Sequence, residues 1–262
     1  MENNVCCNCA NTNVENYCAV CGQKKYRRID SKYLVEELQY TFLHVNKGFL
    51  YTIKSIIKNP GKTAKDFLDG HRVNHYKPIL LAFLLAGISS FISLKILDFE
   101  KIMMSSYSSP NPEASKQFMR DYSTFVSNYN SFLMMLFIPI VALFTKLVFN
   151  SKKHNYYEHV IMNTFGQSAY LLLMIFVFYP IFYFLKDDPG AIISLSFVSY
   201  LFVPLLMFWF YKNVYNEMST GSIIVRILAI VGLGIVVFFV LILIIVVFMI
   251  AINGPQAFIQ QR

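Results

Sequence analysis

The sequence predicts an all-α integral membrane protein with about five transmembrane helices, a small N-terminal four-cysteine zinc ribbon and amphipathic juxtamembrane helices. Of its 262 residues, 56% are hydrophobic and only 15% are charged, whereas soluble domains carry about 25% charged residues. All five cysteines lie within the first 21 residues, and long apolar runs follow them. We therefore expect a zinc-ribbon-like head over residues 1–28, juxtamembrane helices over 29–77, a membrane bundle over 78–252 and a short tail over 253–262.

Five stretches are apolar over the length of about 20 residues that a membrane-spanning helix needs. They are predicted at residues 78–97, 131–149, 164–185, 190–212 and 223–252. The last has no charged residue between positions 227 and 252, and its length predicts a tilted helix or protruding ends. Only residues 186–189 separate the third and fourth stretches, which predicts a tight antiparallel hairpin.

The basic residues predict the orientation in the membrane. Residues 1–77 carry twelve Lys or Arg against seven Asp or Glu. Basic segments stay on the cytoplasmic side of a membrane. We therefore expect a cytoplasmic N-terminus and, after five spans, a C-terminus on the opposite side.

The segment 29–77 has the pattern of short amphipathic helices. Apolar residues recur at helical spacing over 34–45 and again over 49–57, with lysines off the apolar face. Pro60 predicts the start of a third short helix that ends near Gly70. Such helices either lie on an anionic inner leaflet or pack against the bundle or a second copy, and the pattern leaves both interpretations open.

The cysteines form two CxxC pairs, Cys6/Cys9 and Cys18/Cys21, with Cys7 left over. Two such knuckles bring four thiolates to one ion in the tetrahedral geometry of structural zinc. Four protein ligands leave no position for substrate, so the zinc is expected to stabilise the head rather than to catalyse a reaction. The alternatives are a redox pair, which lacks the βαβ context of thioredoxin-type motifs, and an iron–sulfur site.

Several basic residues are predicted to contact lipid phosphates or a partner. A zinc knuckle followed by basic residues also suits nucleic acid, but a positive-inside segment explains the same charges and nucleic acid is not the expected partner. His71 and His75 are not expected to bind a metal, because no HExxH arrangement surrounds them. His154 and His159 are placed in a cytoplasmic loop over residues 150–163 and are interpreted as polar residues at the membrane surface. The predicted contact residues are Lys24, Lys25, Arg27, Arg28, Arg72 and Lys77.

Five short motifs recur in a characteristic order: YCAVCGQ (17–23), VNKGFLYT (45–52), NPG (59–61), DGHRV (69–73) and YKP (76–78). From Cys6 to about Gly87 the chain resembles a bacterial membrane family, mostly from Bacteroidetes, catalogued as domain of unknown function 3667. The resemblance implies a zinc-ribbon-like head on a multi-span protein of a bacterial inner membrane, which would place the C-terminus in the periplasm. It implies no reaction. Cys7 and Ala10 depart from the family pattern.

No Walker motif, GxSxG elbow or phosphate-binding glycine loop is present in the sequence, so we expect no enzymatic activity. The leading hypothesis is that the head docks a protein partner or organises self-association, while the bundle contacts the lipid bilayer. The second hypothesis is a small-solute or lipid transporter or channel with the ribbon as a regulatory cap, suggested by Pro139, Pro180 and Pro204 within the spans. The third is a zinc or redox sensor that uses Cys7.

Overall fold

The computed structural model describes residues 5–12, 16–25, 29–33, 48–97 and 112–253. The predicted helix over 34–45, Arg27, Arg28 and nearly all of the predicted tail lie outside these residues. The described part of the chain is mostly helical, with one isolated β-bridge between Tyr17 and Lys24 in the head. The predicted fold class is confirmed, and the chain is a multi-pass membrane protein. Five helices are long and apolar enough to cross a membrane: Pro78–Ile96, Tyr129–Val148, Tyr156–Phe184, Pro189–Val214 and Thr220–Val240.

The helices are numbered here in chain order. Two short helices precede the membrane, α1 (Phe49–Lys58) and α2 (Pro60–Leu68). The bundle consists of α3 (Pro78–Phe91), α4 (Pro112–Val148), α5 (Tyr156–Leu173), α6 (Tyr179–Phe184), α7 (Pro189–Val214) and α8 (Thr220–Asn253). A π-helical turn, Ile92–Ile96, extends α3, and a second one, Met174–Phe178, joins α5 to α6.

The boundary between α1 and α2 follows from local chemistry. Asn59 is extended, and its side chain accepts the backbone N–H of Lys62 at 2.9 Å, which caps α2. Pro60 occupies the first turn, where a missing N–H costs nothing. The helix ends at Leu68, and Gly70 follows with a positive φ of 106°. Helix α2 is therefore the short helix that the sequence predicts from Pro60 to near Gly70.

Helix α5 begins eight residues before the predicted start of its span at position 164. Asn155 and Glu158 form a capping box: the Asn155 side chain accepts the Glu158 N–H at 2.9 Å, and Glu158 Oε2 accepts the Asn155 N–H at 2.6 Å. These polar residues predict a loop by hydropathy, but they nucleate the helix. The histidine after them, His159, is consequently inside the first turns of a long apolar helix.

Helix α5 is also the centre of the bundle. It packs against α2, α3, α4 and α7, and half of its span is buried, compared with 11% for α7. Large apolar side chains of α7 and α8, such as Leu201, Leu205 and Phe239, are exposed. Because water does not solvate such surfaces favourably, they are the faces expected to contact lipid.

Candidate metal centre and the elbow beneath it

The two CxxC pairs bring four sulfur atoms together. The Sγ atoms of Cys6, Cys9, Cys18 and Cys21 all lie within 4.8 Å of one another. Cys6 Sγ is 3.6 Å from Cys21 Sγ, and Cys9 Sγ is 3.5 Å from Cys18 Sγ. These separations exceed a disulfide bond and approach the ~3.8 Å edge of a tetrahedron with zinc–sulfur bonds of about 2.3 Å. The four sulfurs can therefore hold one metal ion, and Cys7 is not among them.

Each pair sits in the same kind of turn. The N–H of Ala10 donates to the Cys6 carbonyl and that of Gly22 to the Cys18 carbonyl, both at 2.8 Å. Both donors have left-handed backbone, with φ of 59° at Ala10 and 72° at Gly22. Glycine adopts this conformation without strain, whereas alanine does not. The departure at Ala10 noted in the sequence thus places strain in the first knuckle.

The thiols of Cys9, Cys18 and Cys21 differ in pKa, because backbone N–H groups, desolvation and neighbouring sulfurs act on them differently. The N–H of Cys21 lowers the pKa of Cys18 to about 6, and the N–H of Gln23 lowers the pKa of Cys21. At Cys9 the N–H of Asn11 lowers the pKa, but desolvation and the other sulfurs outweigh it and raise the pKa to about 12. Four adjacent thiols cannot all ionise without a cation, so metal binding releases protons.

One side chain connects the metal centre to the membrane domain. We define the elbow as residues 69–77, between α2 and α3. Gln23, which directly follows the second knuckle, is 4% exposed. Its Nε2 donates to the Gly70 carbonyl, and its Oε1 accepts the N–H groups of Arg72 and Val73 at 3.3 and 3.2 Å. The Gln23 carbonyl also accepts the Cys18 N–H at 2.7 Å. Gln23 is therefore bonded both to a cysteine of the sulfur cluster and to the elbow.

The chain after the head is also fixed to the bundle. Ile29 is buried in an apolar core to which α2, α3, α5, α7 and α8 contribute side chains, called the main core here. Its carbonyl accepts the Asn155 side-chain N–H at 2.8 Å. The Arg72 guanidinium lies 5.0 Å from the centre of the Tyr33 ring and donates from Nε to the Phe67 carbonyl at 3.0 Å. The chain that leaves the head is therefore held against the start of α5 and against the elbow.

The predicted basic contact residues occupy different environments. Lys24 and Lys25 are exposed on the head, while Arg27 and Arg28 lie outside the described residues. Arg72 and Lys77 are half-buried in the elbow, and Arg72 makes the internal contacts above. Contacts of these residues with lipid or a partner stay a prediction.

One of the two elbow histidines, His75, is part of an aromatic cluster. His75 contacts the rings of Tyr51, Phe67 and Phe165 edge to face. Burial lowers the pKa of His75, and the nearby Asp66 only partly offsets this, so His75 is neutral at pH 7. No metal-ligand group of three or more His, Cys, Asp or Glu residues includes His71 or His75 in the described part of the chain.

A second polar cluster was missed by the sequence analysis. His159 lies in α5 and is fully buried, so its placement in a loop at the membrane surface is wrong. Thr145 Oγ1 donates to the Ala142 carbonyl at 3.1 Å, accepts Asn163 Nδ2 at 2.9 Å and lies 3.1 Å from His159 Nδ1. Since the threonine proton is already used, His159 donates from Nδ1. Its buried Nε2 then carries a lone pair with no partner among the described residues.

This buried cluster continues to α7, because Tyr211 Oη donates to Asn163 Oδ1 at 3.1 Å. The clue in the sequence was the pair Asn155 and Glu158, whose capping-box spacing predicts a helix start before His159. From here on, the head side means the end of the bundle that carries the elbow and the loops 149–155 and 215–219.

The fold and the sulfur cluster thus define a multi-pass membrane protein with a four-cysteine head that can hold a metal ion. Residues 46–90 match the family model described as "Protein of unknown function (DUF3667)", which confirms the family resemblance on this segment. The match begins after the cysteines and covers α1, α2, the elbow and most of α3. No curated protein and no solved structure matches the chain.

Proposed function

We propose that this is a non-enzymatic inner-membrane protein whose zinc-stabilised cytoplasmic head docks a protein partner or a second copy. The observation that carries the proposal is the closed set of four sulfurs joined to the elbow through Gln23. Four sulfur ligands satisfy zinc and leave no open position for water or substrate. The site is therefore suited to structure, and a structural module fixed to a membrane domain is suited to presenting a surface.

The side chains at the surface of the head support docking. Val20 is 74% exposed, and Val5 and Tyr17 are exposed as well. Val20 lies between the two cysteines of the second knuckle, so its position is set by the metal ligands. An apolar side chain held rigidly at a surface loses little conformational entropy when a partner covers it.

The charges on the head side support the proposed orientation. The two loops on this side and their flanking helix ends carry Lys146, Lys152, Lys153, Lys212 and Arg226, against Glu158 and Glu217. Such a basic excess favours the cytoplasmic side. Five spans then bring the C-terminal end of α8 to the periplasmic side.

The test is crosslinking in native membranes with mass spectrometry of the crosslinked proteins, for the wild type, Val20→Asp and Thr12→Asp. Both variants add one negative charge at an exposed position of the head, and zinc content is measured on all three. We expect Val20→Asp to keep its zinc and lose one specific set of crosslinks, to another protein or to a second copy, while Thr12→Asp keeps both. Crosslinks that are identical in all three proteins, or absent from the wild type, contradict docking by the head.

Transport of a small solute or lipid, with the head as a regulatory cap, is the second candidate. The buried cluster of Thr145, His159 and Asn163 favours it, because polar side chains inside a membrane bundle often line substrate pathways. Its test is flux into proteoliposomes for the wild type and His159→Phe. Flux that is present in the wild type and reduced in the variant supports transport, whereas no flux above empty vesicles across ion and metabolite panels contradicts it.

A further inference from the structure

Helix α1 has two apolar faces, and the residues that the structure describes bury only one of them. On the inner face, Thr52 and Ile56 are buried and Ile53 packs against the main core. Thr52 Oγ1 accepts the Tyr76 N–H at 2.7 Å, which joins this face to the elbow. The outer face carries Leu50 and Ile57, which are 78% and 56% exposed.

The outer face combines these apolar side chains with positive charge. Lys54 follows Leu50 by four residues, and Ile57 and Lys58 follow Lys54 by three and four, so these side chains share one side of the helix. Both lysines are exposed. Residues 46–65 contain five lysines and no Asp or Glu. Exposed apolar residues beside lysines are typical of a helix lying in the headgroup region of an anionic membrane. A helix face that contacted only water would be expected to carry polar side chains in place of Leu50 and Ile57.

The anchoring of α1 places it at the level of the membrane surface. At one end, the bond to Tyr76 ties it to a residue two positions before α3 enters its span at Pro78. At the other end, Asn59 Nδ2 donates to Asn213 Oδ1 at 2.9 Å, one residue before α7 ends its span at Val214. Both anchors are at span boundaries, so α1 runs between two points at the bilayer surface.

We propose that the outer face of α1, formed by Leu50, Lys54, Ile57 and Lys58, binds the headgroup region of an anionic lipid leaflet. The apolar side chains insert below the phosphates, while the lysine amines reach back to them. The charge of the segment favours this occupant over a second copy of the chain, because two copies would bring like charges together. The proposal is independent of the metal in the head.

The experiment uses the full chain in nanodiscs and a single tryptophan. Trp209→Phe removes the one native tryptophan, and Leu50→Trp places the reporter on the outer face. Fluorescence is then quenched either by brominated lipid tails or by aqueous acrylamide. The matched control is Val20→Trp in the same background, because Val20 is equally exposed but belongs to the head.

We expect brominated lipids to quench the tryptophan at position 50 at least about threefold more strongly than the one at position 20, with acrylamide showing the reverse order. Lys54→Gln should lower the preference of the reporter for brominated phosphatidylglycerol over brominated phosphatidylcholine by about fivefold. Quenching by acrylamide alone overturns the proposal. Protection from both quenchers, together with crosslinks between copies at position 57, also overturns it and assigns the face to self-association.

Discussion

The head and the buried cluster of the bundle are held together by different interactions. Among residues 5–12 and 16–25, only Cys6, Cys18 and Gln23 are buried, so the head has almost no apolar core. The buried cluster includes Tyr211, which stacks on Phe149 within the apolar core of the bundle. We therefore expect the head to depend on a bound metal ion and the bundle to depend on packing and hydrogen bonds, so that each can be perturbed separately.

Removal of the metal should produce the largest effect and should affect the head alone. Cys18→Ser/Cys21→Ser, or chelation of the wild type, is expected to remove about 10–16 kcal/mol of apparent binding energy that also folds the head. We expect loss of zinc and rapid proteolysis at residues 5–25, with the thermal midpoint of the bundle in detergent changed only slightly. Zinc analysis, limited proteolysis and thermal unfolding measure these three quantities. A bundle that unfolds upon chelation contradicts the separation of the two regions.

Gly61→Ala should lower the unfolding free energy of the bundle by about 3 kcal/mol. A Cβ at position 61 would overlap the Phe210 carbonyl oxygen and lie 2.8 Å from Asn213 Cβ, so α2 would have to move away from α7. Thermal unfolding in detergent measures the loss, and zinc content should be unchanged. Gly166→Ala is the control, because a Cβ there meets nothing within 4 Å. Equal thermal midpoints for the two variants would show that the close approach of α2 and α7 does not contribute to the stability of the bundle.

Thr145→Val tests the buried cluster at nearly constant volume. It leaves the Asn163 and His159 donors without their shared acceptor, at an expected cost of about 2 kcal/mol in unfolding free energy. Thr164→Val is the comparison, because Thr164 is equally buried and its hydroxyl bonds, among the described residues, only to the Val160 carbonyl of its own helix. Denaturation of both variants in mild detergent should rank Thr145→Val as the less stable. The reverse order contradicts the network.

Ala10→Gly should strengthen the head and leave the bundle unchanged. Glycine relieves the left-handed backbone at φ 59°, a gain of about 1 kcal/mol after its greater flexibility in the unfolded chain is subtracted. In competition with a zinc chelator, the variant should lose its metal more slowly, or at a higher chelator concentration, than the wild type. Ala19→Gly, at an exposed position of the second knuckle without positive φ, should not do so.

The smallest effect is expected for the surface pair Lys152–Glu217, whose atoms Nζ and Oε1 are 2.7 Å apart. The hydrogen bond from Lys152 lowers the pKa of Glu217. Its stabilisation is present above the unfolded pKa of the glutamate and is lost as pH falls through the lower folded value. Because the pair is exposed, we expect at most about 0.5 kcal/mol. Thermal midpoints of the wild type and Glu217→Gln should converge in acid, and a gap that widens there contradicts the pair.

Local patterns predicted the five spans and the sulfur cluster because both are determined within short stretches of sequence. Hydropathy finds a helix surrounded by lipid, and CxxC spacing brings two thiols to one ion. The position of His159 was predicted wrongly because Asn155 and Glu158 look like a polar loop until their reciprocal cap is recognised. The role of Gln23 could not be predicted, since nothing near it indicates that its amide bonds to residues 47 to 50 positions away. The packing interpretation of the juxtamembrane pattern describes the inner face of α1, and the lipid interpretation is the one proposed for its outer face.

The turn between α6 and α7 has a consequence for how the chain is made. Only residues 185–188 separate the two helices; the Asp188 N–H donates to the Leu185 carbonyl at 2.9 Å, and the Asp188 side chain accepts the Ala191 N–H at 3.0 Å. So short a connection gives the insertion machinery no room to integrate the first helix and release it before the second arrives. We therefore expect the two spans to enter the bilayer together during synthesis, as one hairpin that carries a few polar residues across at its tip.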